Sequence, residues 1–137
     1  MSLDLTFVAI SSEDASMLVS DPTAVDETVR RKRRFLATLS LTGRWDALQA
    51  AVNNAGFRSS HFIDEVLSNG CEVVEEDLVF RQAQDLAKID HTHLQALLSQ
   101  SLSREQDRLH QFRAFGELVA FYASASAQGW AVIFYAQ

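Results

Sequence analysis

Four groups of side chains in this chain have types and spacings that could do chemistry. The densest is Arg30-Arg31-Lys32-Arg33-Arg34, five consecutive cations. Such a run can contact nucleic-acid phosphates, serve as a targeting signal, lie against anionic lipid or meet an acidic patch on a neighbouring subunit. Its counterpart is Glu72 with Glu75-Glu76-Asp77, and a second acidic pair stands at Asp64-Glu65. Adjacent carboxylates can act as general acid and base, ligate Mg²⁺ or receive a basic partner. His91 and His93 form an H-x-H pair, which on a strand presents two imidazoles to one metal ion. Cys71 is the single thiol.

The neighbours of each group decide how much of that chemistry survives. Asp90 is placed to cap a helix, and on a helix the rings of His91 and His93 point about 200° apart, so a shared metal is disfavoured. His61 and His110 have no partner adjacent in sequence and are read as surface or half-buried residues. A nucleophilic thiolate wants positive charge nearby, yet Cys71 is followed by Glu72, Glu75, Glu76 and Asp77. It is expected to be a small buried residue. Glu75 to Asp77 sit where a helix should begin, and negative charge is favourable there for dipole reasons. What remains for them beyond that role is an acidic docking surface. Trp45, Trp130, Phe112, Phe115, Phe121 and Tyr122 could stack bases, but they fall on apolar stripes with only Arg113 interleaved, so core packing is favoured.

The five glycines, at positions 43, 56, 70, 116 and 129, are never closer than 13 residues. That spacing excludes phosphate-binding glycine loops, dinucleotide fingerprints and a G-x-S-x-G nucleophile elbow.

Bulk properties narrow the classes further. A chain of 137 residues with 47% hydrophobic and 22% charged residues is that of one globular domain. A lone cysteine fits a reducing compartment and rules out an internal disulfide. The opening MSLDLTFVAI has no basic flank or cleavage site, so no secretory signal is expected. No apolar run approaches the roughly 18 residues of a membrane span. The formal net charge is −6, but the distribution matters more. Outside Arg30–Arg34, seven Lys/Arg face 18 Asp/Glu, a balance of −11. A body that acidic repels nucleic acid and anionic membrane, which weakens both for the basic run.

The elements that must position these groups follow from periodicity. Leu3 to Ile10 alternates and then becomes apolar on both faces, the mark of a strand entering a core. Ser11 with Asp14 resembles an acidic capping box and opens a short helix, with Met17 and Leu18 on its buried side. Asp21-Pro22 starts a second helix running to about Arg33. There the basic run occupies the last turns, and Asp26–Arg30 and Glu27–Arg31 are favourable i,i+4 pairs. Phe35 to Leu41 alternates as a half-buried strand. Trp45, Leu48, Val52 and Ala55, then Phe62, Ile63, Val66 and Leu67, make two helical stripes. Cys71 to Val74 is a short extended segment. Leu78, Val79, Ala83, Leu86 and Ala87 line the next helix. Asp90 caps another, with Ile89 and Leu94 as a hydrophobic staple and Leu94, Leu97 and Leu98 buried. Ser103 with Gln106 opens the longest helix, about Arg104 to Gln128, with Leu109, Phe112, Phe115, Gly116, Val119, Tyr122 and Ala123 inward. Gly129 stops it, and Trp130 to Ala136 reads as a central strand.

Several of these pieces together resemble the YfbM-like family of small bacterial domains of unknown function. The end, AFYASASAQGWAVIFYA, is similar to that family's long helix, phenylalanine-tyrosine pair, glycine stop and hydrophobic last strand. The first strand followed by Ser11-Ser12-Glu13 and Asp21-Pro22, the Trp45-Asp46-Ala47-Leu48 helix and the segment VVEEDLVFRQAQDLAKID are similar too. The chain departs in two places. Relatives often carry Leu-Asp-Leu-Asp-Lys before the tryptophan, where this chain has Leu39-Ser40-Leu41-Thr42-Gly43-Arg44, and their mid-chain glycine-rich stretch with an arginine is missing or shortened. The resemblance implies an α+β fold and a bacterial cytosolic setting, and it brings no activity with it.

The sequence thus predicts a single α+β domain over residues 1–137. A small, mostly antiparallel sheet of N-terminal, middle and C-terminal strands is covered by several helices, one of them long and C-terminal. The favoured function is a non-enzymatic protein-interaction module of the cytoplasm, with partner-binding candidates Arg30, Arg31, Lys32, Arg33, Arg34, Glu72, Glu75, Glu76 and Asp77. The alternatives are an immunity protein neutralising a basic toxin, an enzyme whose site assembles from scattered residues, and nucleic-acid binding through Arg30–Arg34. The expected partner is another protein or a second copy of the chain. No catalytic residue, metal, cofactor, nucleic acid or membrane is expected.

Overall fold

The structure, a computed structural model, describes residues 5–20, 35–41 and 72–136. The helix expected from Pro22, the Trp45 and Phe62 helices, and Arg30–Arg34, His61, Asp64, Glu65 and Cys71 lie outside the described residues. Among the described residues four strands form one antiparallel sheet. They are β1 (Leu5–Ile10), β2 (Ala37–Leu41), β3 (Glu72–Val74) and β4 (Ala131–Ala136), in the order β2-β1-β4-β3. The helices are α1 (Ser12–Ser20), α2 (Glu76–Ala87), α3 (His91–Ser101) and α4 (Glu105–Gln128). The α+β class and the long C-terminal helix are as the sequence predicts.

Strand patterning accounts for the sheet. β1 and β4 are its inner strands, and Phe7, Val8, Ala9, Ile10, Ala131, Val132 and Ile133 are all fully buried. That explains why both segments read as continuous apolar runs rather than alternating ones. β2 keeps the alternation of an edge strand among the described residues, with Leu41 buried, Ala37 and Leu39 half-buried, and Thr38 and Ser40 exposed. Phe7, Leu41, Val74 and Val132 share one core with Val79, Leu86, Leu94, Leu98, Phe115, Leu118 and Tyr122 from α2, α3 and α4. Val8, Ile10, Ala131 and Ile133 point the other way, as strand pleating requires, and are buried as well. α1 packs against β3 and β4 and contributes Ala15.

Three helix faces differ from expectation. On α1 the expected Met17 is exposed and Ala15 is buried instead, while the side chain of Leu18 lies outside the described residues. On α2 the buried residues are Val79, Gln82 and Leu86, while Ala87 is exposed. On α4 the buried stripe is Gln111, Ala114, Phe115, Leu118, Tyr122 and Ala125. At about 100° per residue, the expected Leu109, Gly116 and Ala123 lie roughly 130–170° from the centre of that stripe, and all three are exposed. Phe112 and Val119 fall on its border and are partly buried. A leucine outside and a glutamine inside rotated the apparent face.

The helix ends are set by local bonds. The Thr92 N–H donates to Asp90 Oδ1 at 2.9 Å, so Asp90 is the cap the sequence predicts. The Asp14 N–H likewise donates to Ser11 Oγ at 3.1 Å. Ser103 does not cap α4. Arg104 stands at that position without a side-chain bond, because the helix begins one residue later. Arg108 instead donates from Nη1 to the carbonyls of Leu102 and Ser103, each at 3.1 Å, and ties down the connection from α3. At the other end Gly129 adopts φ 72°, in the left-handed region. Its N–H donates to the Ser126 carbonyl and that of Trp130 to the Ala125 carbonyl. These are the paired bonds of a Schellman motif, which favours glycine.

Candidate functional site

The corner between β3 and α2 collects the acidic candidates. Glu72 opens β3 opposite Phe134 of β4. Glu75 holds an extended backbone, φ −69° and ψ 161°, and its carbonyl accepts the Val79 N–H at 2.9 Å to start the helix. Glu76 and Asp77 occupy the first turn, and Glu75, Glu76 and Asp77 are all exposed. Their charge complements the positive end of the α2 dipole, the structural role foreseen for them.

Packing of α2 along α4 adds a second feature that the local sequence does not show. The C-terminal stop of α4 lies beside the start of α2, so that a Cβ built on Gly129 would sit 3.8 Å from Glu76 Oε2. α4 has 24 residues and no basic residue in its last turn. Its negative end therefore adds to the carboxylates rather than offsetting them. A groove between the two helix ends is lined by Glu76, Asp77, Phe80, Arg81, Ser126 and Gly129. Phe80 is 54% exposed there, one turn beyond Glu76. The groove is an open surface with two carboxylates, one aromatic face and one guanidinium, unlike the enclosed apolar clefts that hold small molecules. It is suited to a cationic or mixed side chain delivered by another macromolecule.

Sequence reasoning found the carboxylates and missed Phe80, Arg81, Ser126 and Gly129. One signal was present. Phe80 is the large apolar residue of α2 that falls off the Val79–Leu86 stripe, and such a residue has to be exposed.

The remaining candidates sit elsewhere. His91 and His93 are exposed on the first turn of α3. The His91 ring meets the edges of Phe112 and Phe115, with centroids 5.6 Å from each. Among the described residues no three His, Cys, Asp or Glu side chains are grouped to hold a metal ion. No helix among them is long and apolar enough to cross a membrane. Phe115 and Tyr122 are buried, and Tyr122 stacks edge-on to Phe7 at 6.1 Å. Burial pushes the Tyr122 phenol well above its ordinary pKa. Among the described residues its hydroxyl has no hydrogen-bond partner, nor does the buried Oε1 of Gln82.

The architecture defines the protein as an α+β domain whose antiparallel sheet is packed beneath a long C-terminal helix. No family model matches the chain, and no curated protein matches it significantly. Among solved structures, the chain is similar to a protein of unknown function, YfbM, from Escherichia coli. The two superpose over 98% of this chain and 99% of that one, with a TM-score of 0.65 and 14% sequence identity. The chain therefore has a YfbM-like fold, and at that identity the likeness is one of fold alone.

Proposed function

We propose that the protein is a non-enzymatic interaction module of the bacterial cytoplasm that docks a basic protein surface. One observation carries this. Exposed Glu75, Glu76 and Asp77 run into the exposed Phe80 at the negative end of α4. An exposed aromatic side chain beside carboxylates is useful as an anchor in an interface with a basic surface. Masking of a basic toxin is one concrete form such docking takes.

The test is affinity capture from the producing cells with the wild type and with a Glu75→Lys/Glu76→Lys/Phe80→Ala variant. A single stoichiometric basic partner held by the wild type and released by the variant supports the proposal. Equal capture by both removes the acidic corner as the docking surface.

A further inference from the structure

The outward face of α4 is apolar where a solvent-facing helix ordinarily carries charge. Residues 118–128 contain no charged side chain, and Ala120, Ala123 and Ala127 among them are exposed. Leu109 stands on the same face near the other end of the helix and is 57% exposed. At about 100° per residue, Leu109, Gly116, Ala120, Ala123 and Ala127 fall within about 60° of one another, opposite the buried stripe. This face has relief. Gly116, Val119, Ala120 and Ala123, at i, i+3, i+4 and i+7, frame a hollow of the kind that receives one side chain of a facing helix. A Cβ on Gly116 would meet nothing within 4 Å, so the floor of the hollow is open. Exposed Arg113 and Glu117 stand along one flank, one turn apart.

We infer that a second copy of this chain packs on this face, α4 against α4 and antiparallel, with Leu109 of each copy in the Gly116–Val119–Ala120–Ala123 hollow of the other. The centre of the hollow lies about 16 Å beyond Leu109 along the helix, at 1.5 Å per residue. A two-fold axis that seats both leucines therefore crosses α4 midway between them, close to Ala114. The midpoint of Arg113 and Glu117 lies about 1 Å from that crossing. The axis that fills both hollows thus also sets Arg113 of each copy beside Glu117 of the other. Knob, hollow and both charges sit on one face of one chain, at spacings that a single two-fold relates, which is what self-association requires. Anionic lipid is the poorer occupant, because cations flank a membrane-bound helix, whereas here Glu117 accompanies Arg113 in a chain of net charge −6. One pair of helices makes a small interface, so the dimer is weak and depends on concentration. Neither Leu109 nor the hollow belongs to the acidic corner, so this contact and docking at that corner are independent.

The test is sedimentation equilibrium of the intact chain, with circular dichroism to check that each variant folds. The wild type should dimerise with a dissociation constant below about 1 mM. Leu109→Ala should raise that constant at least about tenfold, the loss of one buried leucine side chain. Gly116→Gln should abolish the dimer by filling the hollow, while the monomer becomes more stable because glutamine is the better helix former. That variant separates a lost interface from a lost fold. Arg113→Glu and Glu117→Arg should each be monomeric alone, and the two mixed should form a one-to-one heterodimer, because each charge then meets its opposite on the other copy. Glu75→Lys/Glu76→Lys should dimerise like the wild type. A wild type that stays monomeric at about 1 mM chain overturns the inference. So does a dimer that survives Gly116→Gln, or charge-reversed variants that fail to associate when mixed. A dimer lost in Glu75→Lys/Glu76→Lys would lie at the acidic corner instead and overturns it equally.

Discussion

Replacing Tyr122 by phenylalanine should stabilise the protein, and the gain should grow with pH. Tyr122 is fully buried in the core beside Phe7 and Phe121, and its hydroxyl has no hydrogen-bond partner among the described residues. A buried unsatisfied polar group costs about 1–3 kcal/mol. Phenylalanine keeps the ring and its packing and leaves an oxygen-sized void, a loss of a few tenths of a kcal/mol at about 24 cal/mol per Å³. The net gain at neutral pH is therefore about 1–2 kcal/mol. For a chain of this length each kcal/mol shifts Tm by roughly 3.5 °C, so the expected rise is roughly 4–7 °C.

The alkaline arm separates this cause from any general improvement in packing. The folded-state pKa of Tyr122 is raised, and an unfolded tyrosine ionises near 10. Below about pH 10 the phenol is neutral in both states and its titration takes nothing from stability. Above that, the unfolded state gains by ionising while the folded state cannot, and stability falls by about 1.4 kcal/mol per pH unit. Tyr122→Phe lacks this loss, and the titrations of every other group largely cancel between the two proteins. The gap between variant and wild type should widen by about 1.4 kcal/mol between pH 8 and pH 11. Urea unfolding at the two pH values measures it. A constant gap would mean that Tyr122 ionises as easily in the folded protein. A variant less stable than wild type by more than about 1 kcal/mol would mean that the hydroxyl is bonded.

Three further substitutions probe local features by thermal unfolding. Gly116→Ala should raise stability by about 0.8–1 kcal/mol, because the position is inside α4 and a Cβ there meets nothing within 4 Å. Gly129→Ala should lower it by about 1 kcal/mol through backbone strain at φ 72°, since the nearest atom to the new Cβ is an ordinary contact at 3.8 Å. Asp90→Ala should cost about 1 kcal/mol by leaving the Thr92 N–H without its cap, and Asp90→Asn should restore most of it.

The sheet was legible because its strands obey period two at β2 and lose it at β1 and β4, which are buried on both faces. Caps at Ser11 and Asp90 were legible because one side chain and one N–H two or three residues away suffice to make them. The helix faces were less so. Gln82 and Gln111 occupy core positions, while Met17, Phe80 and Leu109 lie outside. Hydrophobicity alone assigns all five to the wrong side, and the error on α4 came to a rotation of the whole stripe. Ser103 failed as a cap for a different reason: the helix begins one residue later, at Glu105, which leaves Arg104 at the cap position. Arg108 reaches back five and six residues to the Ser103 and Leu102 carbonyls, a bond that a short motif cannot register.

The acidic corner was legible as a helix start and illegible as a surface. Its charge follows from Glu75, Glu76 and Asp77, but what stands beside it depends on how α4 returns to the sheet, some fifty residues later. Taken along the sequence, those carboxylates say only that a helix can start there. Only the packing of α2 along α4 sets Phe80, Arg81 and the negative end of a 24-residue helix beside them, and that is what turns a helix start into a surface.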